Sequence, residues 1–335
     1  MLAERLREQI RARGPMPFRD WMEAALYDPQ FGYYTRRDRR RWGRAGDYRT
    51  SAERSELFAA TFARYFAGLY NELGQPERWT IVEGGAADET FAQRMLHVVE
   101  ERYPPISSAT RYLPLEVSSG DFDPLDPGIY FSNELLDAFP VHRLTSEGEL
   151  YVTVDQSDNF VSSIGPLSSP RLAEFLEQHS ISIAPGQTIE VNLAVDDWLT
   201  AVAAKLERGF VITVDYGAEA PDLYDAYLRL DGTLRAFSQH QFVDNVLLAP
   251  GEYDITSSVN WTQVISTGER LGLEVVEFAQ QNKFLLQAGL VEELQLRLQQ
   301  SDTESEKVGL TNDAKEMILP GGMASSFQVL VQKRA

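Results

Sequence analysis

Four short apolar runs along the chain end in acidic or amide side chains, and this pattern constrains the fold more than any other feature. The runs are Trp79–Glu83, Arg111–Val117, Gly128–Phe131 and Gly209–Gly217. A helical pattern lies between the first two runs, so strands and helices alternate as in a doubly wound α/β sheet. Ligands of such sheets bind in the crevice outside the carboxyl ends of the strands. The sequence therefore predicts that the polar strand ends line one crevice.

The segment 128–140 contains the strongest candidate residues. Its apolar strand ends at Ser132, Asn133 and Glu134, and a helix-like stretch follows with Asp137 three residues after Glu134. This spacing would place both carboxylates on one side of a helical turn. A structural alternative is that Ser132 or Asn133 caps the helix, while Glu134 interacts favourably with the positive helix end.

The turn after the first strand, Glu83-Gly84-Gly85, carries no phosphate-binding glycine motif and no lysine or arginine. Its acidic surroundings would repel a pyrophosphate and favour a ligand that has hydroxyls and a positive charge. S-adenosylmethionine has a ribose, an ammonium and a sulfonium. Glu116, at the end of the second strand, is placed to accept hydrogen bonds from ribose hydroxyls. The electrostatics thus favour a methyltransferase over a nicotinamide-dependent oxidoreductase, which stays the weaker alternative.

The remaining periodicity predicts how the chain is organised around this sheet. We expect an α/β fold with a doubly wound, Rossmann-like methyltransferase sheet, an N-terminal helical region and an inserted accessory lobe. The predicted boundaries are 1–75 for the helical region, 76–140 and 194–335 for the core, and 141–193 for the lobe. Residues 300–316 are polar and are predicted to be mobile.

Composition narrows the possible partners and cofactors. The net charge of -19 argues against nucleic acid and against an anionic membrane surface. The absence of cysteine excludes disulfides and thiolate ligands, and the four histidines lack metal-ligand spacing, so we expect no metal. Without a signal peptide or a transmembrane run, we expect a cytoplasmic protein. The arginine cluster at 36–44 is interpreted as a solvated loop, or as a patch that docks on an acidic partner or on the protein's own acidic surface.

An ordered set of motifs resembles the MidA family of S-adenosylmethionine-dependent methyltransferases, from about Pro17 to Lys333. The motifs, in chain order, are Ala25–Pro29 with Phe31–Tyr34, Gly46–Tyr48 with Thr50-Ser51, Asn133–Val141, Asp215–Gly217, Gly232–Leu234, and Pro250-Gly251 with Asp254–Thr256. The family includes a mitochondrial assembly factor of respiratory complex I that methylates an arginine of a complex I subunit. The resemblance implies S-adenosylmethionine as the cofactor, a protein substrate or assembly client as the partner, and permits a homodimer.

Carried onto this chain, the resemblance assigns two groups of candidate residues. The predicted acceptor-binding carboxylates are Glu134, Asp137 and, as the weaker candidate, Asp47, because carboxylates hold a guanidinium by charge-assisted hydrogen bonds. The predicted cofactor-binding residues are Glu83, Gly85, Glu116, Asn133 and Asp215. Asp47 and Asp215 each have a structural alternative, as capping residues of a turn, loop or helix.

The chain departs from the family pattern in the glycine turn. The family places three alternating glycines after the acid, and here Gly85 is kept while Ala87 and Glu89 replace the other two. The Cβ of Ala87 can block a close backbone approach. The carboxylate of Glu89 could pair with the ligand's ammonium or fill the pocket. A non-catalytic relative that has lost the cofactor and acts as a scaffold is therefore the alternative hypothesis.

Overall fold

The computed structural model describes residues 1–36, 55–86, 89–116, 122–238, 241–319 and 326–335. The strands alternate with helices along much of the chain, as the sequence predicts. The strands are β1 Met16–Pro17, β2 Trp79–Gly84, β3 Thr110–Leu115, β4 Gly128–Asn133, β5 His142–Thr145, β6 Gly148–Val154, β7 Phe160–Gly165, β8 Thr188–Val191, β9 Gly209–Ala218, β10 Arg235–Ser238, β11 Gln241–Phe242, β12 Asp254–Thr256, β13 Val259–Asn260, β14 Glu274–Gln280 and β15 Phe327–Arg334.

Several helices carry an apolar stripe that contributes buried residues to a hydrophobic core. The helices are α1 Leu2–Arg13, α2 Phe18–Tyr27, α3 Glu56–Glu72, α4 Thr90–Arg102, α5 Pro104–Ala109, α6 Pro170–Gln178, α7 Ala194–Lys205, α8 Ala220–Leu223, α9 Trp261–Arg270, α10 Gln281–Gln287, α11 Leu290–Gln300 and α12 Glu304–Ile318.

The chain divides into two compact units. The core unit comprises residues 49–135, 199–217 and 265–335, and the accessory unit comprises residues 1–48, 136–198 and 218–264. The main sheet of the core unit has the strand order β14-β15-β9-β4-β2-β3. The strands β3, β2, β4 and β9 are parallel, and β15 runs antiparallel between β9 and β14. This confirms the predicted α/β sheet.

Helices cover both faces of the main sheet, which makes it doubly wound. One face packs against α3, α4 and α11, where Phe62, Phe91 and Phe131 form a buried aromatic cluster with ring centroids 4.8–6.1 Å apart. On the other face, Gly268 of α9 lies against the buried Gln332 of β15. Burial on both faces explains why the parallel strands read as continuous apolar runs.

The accessory unit is built from two smaller sheets and the N-terminal helices. One sheet has the order β1-β6-β5-β8 with β7 paired to β6, and the other has the order β11-β10-β12. The strands β6 and β7 form an antiparallel pair. Buried residues of α1 and α2, among them Leu6 and Trp21, form a core with Val152 and Ile255.

Several family-like motifs of the accessory unit serve packing. Asp28 accepts hydrogen bonds from the backbone N–H groups of Gln30 and Phe31 at 3.0 and 2.9 Å. Gly251 has φ +87°, and an added Cβ would lie 2.4 Å from the carbonyl oxygen of Phe31. Gly232 is similarly enclosed by the Glu190 carboxylate, 2.5 Å from the position of a Cβ. Glycine is required at both positions because no side chain fits.

Two sequence expectations are wrong in the structure. No helix follows β4: the chain forms a bend and turn over residues 134–139. Residues 304–318 form a helix, α12, in a polar segment for which no helix was predicted. Of the arginine cluster, Arg36 is described, and it pairs with Glu252 at 2.5 Å. Residues 37–44 lie outside the described part of the chain.

Candidate active site

The crevice of the core unit forms where the strand order reverses. After β2 the chain adds β3 on one side, and β4 then pairs on the other side of β2. The carboxyl ends of β2 and β4 are therefore the switch point at which open α/β sheets bind ligands. Gly84 pairs in register with Ser132, and Asn133 pairs with Val214 of β9. The register thus brings the predicted residues Glu83, Gly85 and Asn133 to one sheet edge.

The backbone of the glycine turn is closely packed by side chains of the same unit. Gly85 has φ +71°, which a glycine adopts without strain, and its N–H donates to the carbonyl of Leu115 at 2.8 Å. A Cβ on Gly85 would lie 3.2 Å from a methyl carbon of Leu135. At Gly84, a Cβ would lie 2.3 Å from the hydroxyl oxygen of Tyr130. Both positions accept only hydrogen on the α-carbon, so the turn is built around glycine.

Glu83 is buried at the end of β2 and accepts a hydrogen bond from the hydroxyl of Tyr112 on β3. Burial, together with the charge and the hydrogen bond of Glu83, raises the pKa of Tyr112. The phenol therefore stays protonated and remains a donor to the carboxylate at neutral pH. Sequence reasoning missed Tyr112, because only strand register places it beside Glu83.

The turn after β4 holds Glu134 in an unusual backbone conformation. Glu134 has φ +53°, in the left-handed region that non-glycine residues seldom adopt. Its N–H donates to the carbonyl of Val214 at 2.9 Å, and its Oε1 accepts from Nδ2 of Asn133 at 3.2 Å. Glu134 is half-buried. Strained backbone of this kind is concentrated at functional sites, where the surrounding structure enforces it.

Three buried polar atoms at this edge have no hydrogen-bond partner among the described residues: Oδ1 of Asn133, Oγ of Ser132 and Oγ1 of Thr213. Ser132 and Thr213 are register partners on adjacent strands. Buried polar groups are nearly always satisfied in folded proteins. A cluster of unsatisfied oxygens at a strand-end crevice is expected where a polar ligand or water completes the bonding.

The other two candidates for cofactor binding differ in exposure. Glu116 directly follows β3 and is exposed, next to Leu115, whose carbonyl accepts from the glycine turn. Asp215 is fully buried within β9, and its Oδ1 accepts the N–H of Tyr216 at 2.8 Å. Together with Glu83, Glu89 and Glu134, they make the core unit's strand-end region acidic. This charge favours a cationic ligand.

Of the remaining acceptor-binding candidates, Asp137 is buried in the accessory unit, and its carbonyl accepts the N–H of Ser257 at 2.9 Å. Because no helix follows β4, the helical spacing that paired Glu134 with Asp137 does not apply, and neither does the capping alternative. Asp47 lies outside the described residues.

Of the two positions at which the glycine turn departs from the family pattern, the structure describes only Glu89. Ala87 lies outside the described residues. Glu89 is the N-cap of α4 with φ +60°, is exposed, and makes no side-chain capping hydrogen bond. The backbone at this position thus takes a conformation that suits glycine, as the family pattern implies.

Comparisons with known proteins also indicate a methyltransferase. A family model described as an S-adenosyl-L-methionine-dependent methyltransferase matches residues 119–279. A mitochondrial protein, the protein arginine methyltransferase NDUFAF7 homolog of Drosophila melanogaster, is 27% identical over 326 residues, which cover 81% of this chain and 70% of the relative. Human NDUFAF7, a mitochondrial protein arginine methyltransferase, is 24% identical over 375 residues, which cover 95% of this chain and 80% of the relative. The chain is thus similar to S-adenosyl-L-methionine-dependent methyltransferases, over residues 119–279 by the family model and over most of its length by these relatives.

A solved structure of another protein is similar to this one over almost the whole length of the chain. The crystal structure of a protein from Burkholderia thailandensis bound to S-adenosyl-homocysteine has a TM-score of 0.84 and 25% sequence identity. The match covers 99% of this chain and 92% of that chain. The predicted family, enzyme class and cofactor are confirmed by these findings.

The residues of the crevice fit S-adenosylmethionine on independent structural grounds. Gly84 and Gly85 add no side chains of their own to the turn, the buried amide oxygen of Asn133 has no hydrogen-bond partner among the described residues, and several carboxylates lie at the same edge. A cofactor with a cationic sulfonium and ammonium matches acidic surroundings, and its ribose hydroxyls can donate to an unsatisfied oxygen.

One sequence expectation is contradicted by the relatives. A cytoplasmic protein was expected, but the matched proteins of fly, human and mouse are all named as mitochondrial.

Across the described ranges, no helix is long and apolar enough to cross a membrane. Within those same ranges, no cluster of three or more potential metal-ligating side chains is found.

Proposed function

We propose that this methyltransferase transfers the methyl group of S-adenosylmethionine to an arginine side chain of a protein partner. The protein arginine methyltransferases among its relatives support the acceptor class. The observation that carries the proposal is Glu134, a half-buried carboxylate held in a left-handed conformation directly after β4. A strained, fixed carboxylate at the switch point is suited to orient a cationic acceptor.

Glu134 would position the acceptor guanidinium. Its Oε1 is tethered by the amide of Asn133, and the backbone N–H is fixed by Val214. The carboxylate can accept a charge-assisted hydrogen bond from an N–H of the acceptor. Because methyl transfer is an in-line displacement, holding the nucleophilic nitrogen in place lowers the entropic part of the barrier. Asp137 remains a second proposed acceptor contact, to be tested separately by Asp137→Asn.

The proposed cofactor contacts come from the strand ends. Gly85 allows close backbone approach, Glu116 and Asn133 offer acceptors for hydroxyl groups, and Glu83 contributes negative charge behind the turn. Asp215 would act from within β9 through its buried charge. When bound, the cofactor supplies an electrophilic methyl group on its sulfonium.

The test separates cofactor binding from methyl transfer. Calorimetric titration of cofactor-stripped protein with S-adenosylmethionine should give a Kd near 1 μM, about -8 kcal/mol. Radiolabelled cofactor, incubated with the enzyme and candidate protein acceptors, should then yield label that co-elutes with methylarginine after acid hydrolysis. Label on another amino acid would overturn the proposed acceptor and leave the methyltransferase class intact.

The non-catalytic scaffold is the second candidate function, and it rests on Ala87 and Glu89 in the glycine turn. It predicts folded protein that binds neither S-adenosylmethionine nor S-adenosylhomocysteine. The exposed position of Glu89 favours the enzyme, because its side chain does not occupy a buried pocket. If the wild-type protein binds S-adenosylmethionine and the Glu116→Ala variant does not, the non-catalytic scaffold hypothesis is wrong.

A further inference from the structure

One turn of the accessory unit, residues 136–139, is tied to three separate parts of that unit. Each of three consecutive backbone carbonyls accepts a hydrogen bond. The pairs are Nδ2 of Asn192 to Leu136 at 3.3 Å, the N–H of Ser257 to Asp137 at 2.9 Å, and the hydroxyl of Tyr27 to Ala138 at 3.0 Å. Asn192 follows β8, Ser257 follows β12 and Tyr27 ends α2. The turn that contains Asp137 is therefore fixed by its surroundings.

Two buried side-chain oxygens next to this turn have no hydrogen-bond partner among the described residues: Oδ1 of Asn192 and Oγ1 of Thr256. The amide of Asn192 holds the turn through its nitrogen, which leaves its oxygen over. Thr256 directly precedes Ser257, whose N–H donates to the carbonyl of Asp137. Buried polar groups in folded proteins are nearly always satisfied. Two such oxygens at one fixed turn indicate a site for a group that brings hydrogen-bond donors.

The same turn carries an aromatic ring that solvent can reach. Phe139 is half-buried, and its N–H donates at 3.2 Å to the carbonyl of Leu136, which also accepts from Asn192. Its ring packs edge-to-face against that of Trp198 on α7, with centroids 6.3 Å apart and planes at 69°. Trp198 is half-buried as well. Aromatic rings attract cations, and a planar guanidinium also stacks on them, which a compact ammonium group does not.

We infer that this turn and its neighbours recognise the guanidinium group of the acceptor, with Asn192 and Thr256 as residues that determine specificity. The inference rests on the proposed transfer to arginine. A guanidinium has five N–H donors in one plane and no acceptor, so it can donate to the oxygens of Asn192 and Thr256 while it stacks on Phe139 or Trp198. Asp137, in the same turn, adds a carboxylate to the site. An ammonium group has three donors on a single nitrogen and no planar face, so the site selects arginine over lysine.

The first test uses small cations and needs no methyl transfer. The probes are ethylguanidinium chloride and ethylammonium chloride, which carry the same charge, so the ionic strength stays matched. The chain has five tryptophans, and the indole N–H resonance of Trp198 can be assigned in NMR spectra with a Trp198→Phe variant. Ethylguanidinium should shift this resonance saturably with a Kd on the order of 1 mM, and ethylammonium should bind at least about tenfold more weakly. No saturable shift, or equal affinity for the two cations, would overturn the inference.

Substitutions then test the two oxygens. Thr256→Val keeps the shape of the side chain and removes a hydroxyl that bonds to no described residue, so it should weaken ethylguanidinium binding about fivefold in stable protein. Asn192→Leu should weaken it by more than about tenfold. Thr61→Val is the matched control with wild-type affinity, since Thr61 is also buried but its hydroxyl donates to the carbonyl of Leu57 at 2.7 Å within α3. Wild-type affinity in either test variant would contradict the inference, and Thr256→Val decides alone if Asn192→Leu fails to fold.

A kinetic measurement connects the site with the proposed reaction. For an arginine-containing peptide, KM should rise by about the same factors in the two variants, at unchanged kcat and unchanged affinity for S-adenosylhomocysteine. A parallel loss of S-adenosylhomocysteine affinity would show a structural role and overturn the inference. Guanidinium binding without any methylarginine would support the recognition site and count against the proposed reaction. Methylarginine formed with a wild-type KM in both variants would overturn the recognition site alone.

Discussion

The turns after β2 and β4 each contain a glutamate in the left-handed region, and the two differ in what holds it there. Glu89, with φ +60°, is exposed at the start of α4 and lacks a side-chain capping bond. Glu134, with φ +53°, is half-buried, and both its backbone and its carboxylate are hydrogen-bonded. The backbone of Glu89 is also held, because its N–H donates to the carbonyl of Ala86 and its carbonyl accepts from the N–H of Gln93, both at 2.9 Å. The difference lies in the carboxylate, which is held by Asn133 at Glu134 and makes no capping bond at Glu89, and on this difference we base the proposed role of Glu134.

The largest expected effect is on catalysis at Glu134. Glu134→Gln removes the charge that we propose orients the acceptor and should lower turnover by about 100-fold. Affinity for S-adenosylmethionine should change by less than about threefold, and the melting temperature should hardly move. Steady-state methyl transfer and calorimetry measure both. The matched control is Glu89→Gln in the other turn, which should retain activity. A comparable loss of turnover in Glu89→Gln would show that the two glutamates do not differ in function.

The next effect is on the cofactor and concerns Gly85. Gly85→Ala places a Cβ at φ +71° and 3.2 Å from Leu135, so we expect about tenfold weaker binding of S-adenosylmethionine. The free energy of unfolding should fall by about 1–2 kcal/mol. Gly74→Ala is the control, since Gly74 has φ +83° with nothing within 4 Å of an added Cβ. If Gly74→Ala weakened cofactor binding equally, the Gly85 effect would reflect stability alone.

A smaller effect separates the two glutamates by stability. Glu89→Gly should raise the free energy of unfolding by about 0.5–1 kcal/mol, because glycine adopts the left-handed conformation without strain and is an adequate N-cap. Glu134→Gly should gain similar backbone relief yet lose methyl transfer. Urea denaturation and the transfer assay on both variants give the comparison. Loss of stability in Glu89→Gly would show that its carboxylate makes a necessary contact.

The smallest effect on cofactor binding is expected behind the β2 turn. Tyr112→Phe leaves the buried carboxylate of Glu83 without its phenol donor and should cost about 1 kcal/mol of unfolding free energy. Cofactor affinity should stay within about threefold, because Tyr112 acts on Glu83. Denaturation and calorimetry measure these quantities. A loss of binding as large as that of Gly85→Ala, at unchanged stability, would instead place Tyr112 in contact with the ligand.

The strand ends were predictable because each parallel strand is a short apolar run with a polar end. The helix after β4 was predicted wrongly: the N–H of Glu134 donates to Val214 on β9, which continues the strand pairing past Asn133, and residues 134–139 then form a bend and turn. The α12 helix was missed, although Thr303 and Glu306 form a capping box that the sequence signals. We interpreted the segment from its polar composition and did not use the capping box, which predicts a helix start.

The sequence by itself determined the alternating α/β fold, the family and the position of acidic residues at the strand ends, because these follow from local periodicity and motif order. The tertiary structure decided which side chains come into contact. Strand register brought Tyr112 to Glu83, and the turn after β4 gave Glu134 its strained backbone. Packing in the accessory unit brought the side chain of Asn192 to the turn that contains Asp137. Residues that are distant in sequence become partners only through the register and packing of the folded chain, which spacing along the sequence does not encode.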